Sequence, residues 1–280
     1  MSEFKPTLRC TCDGSGMREV ICYDAAPEGE TKFDLGDQVY NRRYDQCKMC
    51  GHFFGRHNLD LSALYNDEYV TSTYGGIDGM QERLDKIQRL PADQSDNGAR
   101  VERVVKFVEE RGLLTPSPPR LLDVGAGIGV FPSSMKTRGW DVTAVEPDLR
   151  TVEHLRENVG VTAFAEDLFD LDADHIGVFE AVSFNKVLEH VEDPVGLLMK
   201  GTSFLADQGF MYVELPDVSA MAEGPSREEF FIEHHHVFSL ASFDLLVEHA
   251  GLRLVRLERF REPSTKYTIA GFVMRKGDIS

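Results

Sequence analysis

Residues 121–131 read LLDVGAGIGVF, and this stretch decides the fold. An apolar run ends at Asp123, and glycines follow at every second position, Gly125, Gly127 and Gly129. Because glycine costs conformational entropy wherever the chain fixes it, three glycines within five residues need a reason. Either the backbone turns where a side chain would clash, or a ligand approaches the backbone closely. Ligands of open α/β sheets bind at loops of this kind, beyond the carboxyl ends of the strands.

The chain around this loop alternates between short apolar segments and amphipathic ones. The predicted strands are RLLDV, DVTAVE, GVTAFAED, FEAVSFNKV and GFMYVELP, followed by LRLVRLERF and KYTIAGFVMR. Helices are predicted at 130–138, 149–158 and 194–205 and at SFDLLVEHAG. No helix separates the last two strands, which favours an antiparallel hairpin there. The pattern predicts an α/β fold, a Rossmann-like sheet with helices on both faces.

Three regions differ in composition. Residues 1–75 hold all five cysteines, 76–117 form a helical linker, and 118–280 form the α/β domain. In the linker, MQERLDKIQRL and RVERVVKFVEERGLL place apolar residues three and four positions apart, which is typical of amphipathic helices. The stretch TPSPPR, 115–120, cannot continue a helix and marks the start of the last region.

Composition argues against several classes of partner. The chain has 280 residues, of which 47 are acidic and 30 basic, so its net charge is −17. Such a surface would repel a phosphate backbone, and we expect no nucleic-acid partner. No apolar run approaches the roughly 20 residues of a membrane span, and the N-terminal residues lack a secretory signal. We therefore expect no membrane partner, a cytoplasmic location and no disulfides.

Acidic residues follow the first three strands of the predicted sheet, at Asp123, Glu146 and Asp167. An acid beside the glycines is unsuited to phosphate, and the spacing G-x-G-x-G differs from the G-x-G-x-x-G of dinucleotide sites. Asp123 suits a ligand with an amino group, and Glu146 stands 23 residues later, where an acid takes ribose hydroxyls. Asp167 could accept a hydrogen bond from an exocyclic amine. These features together suit S-adenosylmethionine, and a nicotinamide-dependent enzyme is the alternative.

The motifs LLDVGAGIGVF, VEPD, AEDLFD and FNKVLEHVEDP resemble, in this order, those of class I S-adenosylmethionine-dependent methyltransferases. The resemblance covers about residues 118–276 and implies a seven-stranded sheet with a reversed final strand. It places these residues in the donor site: Gly125 and Gly127 along the methionine, Glu146 at the ribose, Asp167 with Leu168 at the adenine, and Asn185 facing the methyl-donor pocket. Glu189 and His190, in LEHV, either pack and cap a helix or touch the ligand pocket.

The cysteines form two short pairs, CTC at 10–12 and CKMC at 47–50. Zinc prefers four thiolate or imidazole ligands in a tetrahedron, often from two short turns. The sequence therefore predicts a small N-terminal cysteine-rich module with a structural zinc held by Cys10, Cys12, Cys47 and Cys50. Buried free thiols are the alternative. The reserve ligands are Cys22, His52 and His57.

The N-terminal region also resembles that of the sugar C-methyltransferases that act on nucleotide-linked deoxysugars. The resemblance rests on C-x-x-C-G and on LYNDEYVTSTYG, although the first cysteine pair here is C-x-C. It implies a small-molecule acceptor, a sugar or nucleotide-linked sugar that is methylated on oxygen or carbon. There are two alternatives. The acceptor could be another small metabolite, or the protein could be a scaffold that binds the donor without catalysis.

The candidate catalytic residues lie in FFIEHHHVFSL, 230–240. Glu233 and His234 match an EH…FS element that lies at the acceptor site of those sugar methyltransferases. Histidine titrates near neutrality and suits proton abstraction, with Glu233 holding the ring of His234. Tyr69 and Tyr74 could close over the acceptor or simply pack. The histidines could alternatively be solvated, pack the loop, or bind a metal through His234 and His236.

Overall fold

The computed structural model describes residues 16–30, 37–59, 76–113 and 118–278, and these form two β-sheets with helices around the larger one. The strands in chain order are β1 Met17–Tyr23, β2 Arg42–Cys47, β3 Phe53–His57, β4 Arg120–Val124, β5 Asp141–Val145, β6 Thr162–Phe164, β7 Phe179–Asn185, β8 Leu205–Pro216, β9 His236–Val237, β10 Leu252–Arg261 and β11 Tyr267–Arg275.

The helices in chain order are α1 Gly76–Gln88, α2 Asp96–Glu110, α3 Val130–Thr137, α4 Leu149–His154, α5 Ala173–Ile176, α6 Pro194–Thr202 and α7 Leu240–His249. Helix α4 continues as a π-helical segment, Leu155–Val159. Local chemistry explains where the later helices begin. Asp193 caps α6 by accepting from Gly196 N, and Ser239 forms a capping box at the start of α7.

The larger sheet has seven strands in the order β10-β11-β8-β7-β4-β5-β6. Strands β4 to β8 pair in parallel, whereas β11 is antiparallel to both β8 and β10. The predicted Rossmann-like sheet with a terminal antiparallel hairpin is confirmed. Central strands of this kind are buried on both faces, which is why they read in the sequence as short apolar runs.

Both faces of this sheet are covered by apolar packing. On one face, Phe107 of α2 stacks on Phe272 with ring centroids 3.9 Å apart. On the other face, α6 and α7 bury Leu198 and Leu246 in a cluster with Phe184. Residues 76–113 are therefore packed on the sheet through α1 and α2, while the three domain boundaries drawn from the sequence remain a prediction.

Several element ends differ from the predicted ones. The third predicted strand, GVTAFAED, is a strand only over Thr162–Phe164. Helix α6 ends at Thr202 instead of 205, because the chain already enters β8 at Leu205. The guanidinium of Arg275 holds this junction by donating to the carbonyls of Thr202 and Leu205. These differences shorten the third strand and α6 and lengthen β8, which the sequence predicts to begin at Gly209, without altering the order of the elements.

The smaller sheet has the order β1-β2-β3-β9 and is antiparallel throughout. Its fourth strand comes from the predicted loop 230–240, since Phe54 pairs with His236 and Phe53 with Val237. The next residue, Phe238, is joined to the end of β8 by its N–H to the carbonyl of Pro216, 2.9 Å. Strand β9 therefore links the smaller sheet to the carboxyl end of the larger one.

Candidate functional site

The glycine loop turns sharply between β4 and α3. Gly125, Gly127 and Gly129 all have positive φ, at +67°, +51° and +79°. A Cβ on Gly125 would lie 2.6 Å from Cγ2 of Val187, and real Cβ atoms do not approach that closely. The glycines are required because the backbone adopts left-handed conformations and packs against the segment that follows β7.

Asp123 ends the central strand β4 and is 2% exposed. Its Oδ1 accepts hydrogen bonds from Ser183 Oγ at 2.5 Å and from Asn185 Nδ2 at 3.0 Å. Burial raises the pKa of Asp123 to about 7, against the lowering effects of Ser183, Arg100 and Asn185. A carboxylate kept this far from water is held ready for a cationic or hydrogen-donating ligand.

Glu146 follows β5 and reaches back to the glycine loop, where the N–H of Gly127 donates to its Oε1. Burial raises the pKa of Glu146 to about 7, and the charges of Asp123 and Asp148 add to this effect. One carboxylate oxygen is thus fixed by the loop, while the other can accept a ligand hydroxyl. The side chain occupies the position that the sequence predicts for a ribose contact.

Asn185 ends β7 beside Asp123. With Nδ2 bonded to Asp123, its Oδ1 is buried and has no hydrogen-bond partner among the described residues. A buried carbonyl oxygen without a partner costs free energy, which a ligand donor would recover. Across the sheet, Asp167 is exposed and its Oδ1 accepts from Phe169 N at 2.9 Å, whereas Leu168 is buried.

The donor residues predicted from the sequence therefore converge at one edge of the sheet. Asp123, Glu146 and Asn185 end or follow three adjacent parallel strands, and the glycine loop lies among them. This is the crevice beyond the carboxyl ends of the strands in which α/β proteins bind ligands.

A second cluster of polar side chains lies beyond Asn185, in the 3₁₀ turn Leu188–His190 and the segment after β8. Ligand atoms of Glu189, His190 and His234 all lie within 4.8 Å of one another. Glu189 is 1% exposed, and neither of its carboxylate oxygens has a hydrogen-bond partner among the described residues. Burial raises the pKa of Glu189 to about 7. Val187, two residues before Glu189, packs against Gly125 of the glycine loop.

Backbone carbonyls orient the two imidazoles of this cluster. His190 Nδ1 lies 3.0 Å from the carbonyl of Glu233, and His234 Nδ1 lies 3.0 Å from the carbonyl of Glu229. Since a carbonyl only accepts, each Nδ1 carries the proton and each Nε2 carries a lone pair. The prediction that the Glu233 carboxylate holds the ring of His234 is therefore wrong, because the Glu229 carbonyl already occupies that nitrogen.

A match to a family model agrees with this geometry. Residues 88–257, more than half of the chain, match the model described as a methyltransferase domain. The chain belongs to this methyltransferase family. The family match confirms the prediction of a methyltransferase domain drawn from the glycine loop and the acids after successive strands.

Curated relatives of this methyltransferase domain share its central part. A ubiquinone biosynthesis O-methyltransferase of Xanthomonas axonopodis pv. citri (strain 306) is 32% identical over 143 residues, covering 48% of this chain and 60% of that protein. A protein of the same name from Xanthomonas euvesicatoria is 33% identical over 161 residues, covering 56% of this chain and 61% of that one. The chain thus spans less than two thirds of the length of these relatives.

Solved structures share the fold at low sequence identity. The magnesium protoporphyrin IX methyltransferase of Synechocystis PCC 6803, with S-adenosylhomocysteine bound, aligns with a TM-score of 0.56 at 15% identity, covering 78% of this chain and all of that one. The plantazolicin methyltransferase BpumL, also with S-adenosylhomocysteine, aligns with a TM-score of 0.54 at 12% identity, covering 74% and 95%. These similarities confirm the methyltransferase fold.

The other histidines near the cluster are engaged elsewhere. His52 Nε2 lies 3.0 Å from His236 Nδ1, and His52 Nδ1 lies 3.0 Å from Ser242 Oγ. Both histidines are fully buried between the smaller sheet and α7. The methyltransferase therefore groups His234 with Glu189 and His190, and not with His236 as one alternative drawn from the sequence had it.

Half of the predicted zinc site lies in the described part of the chain. Cys47 and Cys50 are buried and flank a tight turn, in which Gly51 N donates to the carbonyl of Cys47 at 2.9 Å and Gly51 has a φ of +76°. Cys10, Cys12, Tyr69 and Tyr74 lie outside the described residues.

The strand register and hydrogen bonding argue against Cys22, His57 and His52 as alternative zinc ligands. On β1, Cys22 pairs with Arg43, whereas Cys47 pairs with Met17 at the other end of the ladder. Five residues of strand separate Cys22 from Met17, which is roughly 17 Å. His57 lies at the same far end, opposite Arg42, and both ring nitrogens of His52 are bonded.

Proposed function

We propose that this protein is an S-adenosylmethionine-dependent methyltransferase acting on a small-molecule acceptor. The observation that carries the proposal is the position of two carboxylates around the glycine loop, the buried Asp123 and the half-buried Glu146, beside an amide oxygen of Asn185 that has no hydrogen-bond partner among the described residues. With both carboxylates ionised, these groups accept hydrogen bonds and balance positive charge. They fit the ammonium, the ribose hydroxyls and the sulfonium of S-adenosylmethionine, and they do not fit a pyrophosphate.

In this proposal, the residues of the pocket contact different parts of the donor. Asp123 and Asn185 accept from the amino group of the methionine part, while Gly125 and Gly127 leave room for it. Glu146 accepts from the ribose hydroxyls with the oxygen that Gly127 does not hold. Asp167 and Leu168 would frame the adenine, with the exposed Asp167 accepting from its exocyclic amine and the buried Leu168 offering an apolar contact.

When bound, the donor supplies a methyl carbon that an acceptor lone pair attacks while the carbon–sulfur bond breaks and sulfur keeps its electrons. The protein's task is to align the acceptor and to accommodate its proton. His234 offers the lone pair of Nε2, and its ring is fixed by the Glu229 carbonyl. In the simplest form of this proposal His234 takes the proton, with Glu233 and Tyr69 as further groups at the acceptor.

The acceptor class follows from resemblance and from the relatives. The cysteine module and the EH…FS element favour a sugar or nucleotide-linked sugar, methylated on oxygen or carbon. The relatives named ubiquinone biosynthesis O-methyltransferase make a phenolic hydroxyl the second candidate. Both carry a hydroxyl that is more nucleophilic once deprotonated. A methylation assay with the two compound classes separates them, and turnover of phenols alone would exclude the sugar.

Donor binding tests the central proposal. Calorimetry should show binding of S-adenosylmethionine and S-adenosylhomocysteine and none of NAD. Binding of NAD with no binding of either methionine derivative would overturn the assignment.

We also propose a structural zinc held by Cys10, Cys12, Cys47 and Cys50. The turn at Gly51 supports it, because a tight turn after two cysteines can direct both thiolates to one metal. The carbonyl of Gly16 accepts from Lys48 N at 2.8 Å, so the chain passes beside this turn. Cys12 is four residues from Gly16, a reach of at most about 14 Å.

A further inference from the structure

Glu189 is a buried acid without a counter-charge in contact. It is 1% exposed, and both carboxylate oxygens lack a hydrogen-bond partner among the described residues. Lys186, three residues earlier, has its ammonium 3.4 Å from Glu262 and bonded to Thr268. Buried charges in proteins are normally paired or coordinate a metal. A cation bound to the carboxylate would supply the partner that the described residues do not.

Two imidazoles, those of His190 and His234, belong to the same cluster as Glu189. The carbonyls of Glu233 and Glu229 fix the Nδ1 protons of His190 and His234, which leaves each Nε2 as the basic nitrogen. Metal-binding histidines are held in this way, with the second ring nitrogen donating to a carbonyl or carboxylate. The hydroxyl of Tyr44 donates to the carbonyl of His234 at 2.6 Å and steadies that backbone.

We propose that Glu189, His190 and His234 bind one divalent transition-metal ion. Their ligand atoms lie within 4.8 Å of one another, so a single ion can reach all three after small adjustments. Two imidazoles and one carboxylate suit zinc, cobalt(II) or iron(II) better than calcium or magnesium, which prefer oxygen ligands. Three protein ligands leave a coordination position open for a substrate oxygen.

The ion would bind the acceptor oxygen that receives the methyl group. Glu189 follows Asn185 by four residues, and Val187 between them packs against Gly125 of the glycine loop. A divalent ion lowers the pKa of an oxygen bound to it and fixes its position, so the acceptor would be held deprotonated beside the donor. His234 then acts as a ligand instead of a base. This role rests on the proposed function, whereas binding of the ion does not.

Cobalt(II) titration tests the site, because its absorption spectrum separates nitrogen and oxygen ligands from thiolates. The full-length protein is dialysed against a chelator and titrated with CoCl₂, alongside Glu189→Gln, His234→Ala and the control His249→Ala, which removes an exposed histidine on α7. We expect one nitrogen–oxygen site per chain in the parent and in His249→Ala. Glu189→Gln keeps the side-chain volume, and both cluster variants should bind at least about 100-fold more weakly.

Calorimetry with S-adenosylhomocysteine on the same samples separates the two proposals and reports folding. Variants that bind S-adenosylhomocysteine like the parent but have lost the cobalt spectrum establish the site. A parent that shows only thiolate-bound cobalt, or cluster variants that bind cobalt as tightly as the parent, overturns the metal site and leaves the proposed function standing. A parent that binds cobalt but no S-adenosylhomocysteine overturns the proposed function alone.

Discussion

Asn185 donates a hydrogen bond from Nδ2 to Oδ1 of Asp123, 3.0 Å away, across the two central strands β7 and β4. The bond fixes the amide so that its oxygen is the atom without a hydrogen-bond partner in the described part of the chain. A carboxylate and an amide oxygen are thus held side by side before any ligand arrives. Preorganisation of this kind reduces the conformational cost of binding.

Asp123→Asn should stabilise the ligand-free protein at pH 8. The pKa of Asp123 is about 7 in the folded protein and about 3.9 when unfolded. Between these values the folded state binds a proton that the unfolded state does not, so the free energy of unfolding falls as the pH rises from about 4 to about 7 and is constant above. The amide removes this penalty while still accepting from Ser183 and Asn185.

Denaturant titrations at pH 5 and pH 8 measure the effect. The gain from Asp123→Asn should shrink at pH 5, and the control Asp141→Asn, at an exposed site on β5, should show no such dependence. An equal change at both pH values would contradict the raised pKa.

Glu146→Gln should weaken binding of S-adenosylhomocysteine by about 1–3 kcal/mol, because the charge that accepts from the ribose is lost. The amide oxygen can still accept from Gly127 N, so the loop should keep its shape. Calorimetry measures the affinity, and Glu153→Gln, an exposed acid on α4, is the matched control. Unchanged affinity in Glu146→Gln would remove the residue from the donor site.

Gly125→Ala should destabilise the protein more than Gly139→Ala does. Both glycines have positive φ, +67° and +88°, which costs an alanine roughly 1–2 kcal/mol. Only at Gly125 would the new Cβ meet another group, Cγ2 of Val187 at 2.6 Å, whereas nothing lies within 4 Å at Gly139. Val187→Ala in the Gly125→Ala background should recover the difference, as thermal unfolding would show. No recovery would mean that backbone strain alone explains the loss.

His234→Ala should lower turnover by about 10²–10⁴-fold once an acceptor is found, whether the ring acts as a base or as a metal ligand. Donor affinity should stay nearly unchanged, because His234 is absent from the donor pocket. Rate measurements and donor calorimetry on one sample provide both readings, with His249→Ala as control. Turnover equal to the parent's would remove His234 from the acceptor site.

Cys47→Ser should reduce the zinc content of the purified protein by about one ion per chain, since a structural site needs all four ligands. Cys22→Ser is the matched control, because Cys22 is exposed and lies far along β1 from the turn. Elemental analysis gives the metal content. Zinc retained in Cys47→Ser, or lost equally in both variants, would contradict the proposed quartet.

The large sheet could be predicted because its central strands are buried on both faces and read as apolar runs ending in functional residues. The smaller sheet could not. Strand β2, RRYDQC, buries an arginine and an aspartate, so neither alternation nor apolarity marks it. Arg42 is buried by pairing with Glu30 and with the carbonyl of Phe230, both distant in sequence. Tertiary contacts decide such strands.

The positions of the residues proposed for the donor site are predictable for the same reason as the sheet, since each residue ends or follows its own strand. The second cluster is not predictable in this way, because the sequence favours grouping His234 with its neighbours Glu233 and His236. Strand β9 turns His236 toward His52, while His234 meets residues of a turn more than 40 positions earlier. The sequence does carry a signal for this cluster. The dipeptide Glu-His occurs after the fourth predicted strand, at Glu189 and His190, and again after the fifth, at Glu233 and His234.

Strand β9 gives the smaller sheet a strand that lies in the chain between β8 and α7, two residues after His234. The smaller sheet is therefore not formed by one contiguous segment, and a single recombination crossover before α1 would not transfer all four of its strands. A chimera that took only the N-terminal part from a relative would pair a foreign β3 with a native β9. Its donor crevice would remain intact, while the segment carrying His234 would lose its matched neighbour. Under the proposed function, an exchange of acceptor preference between relatives would require both segments to come from the same relative.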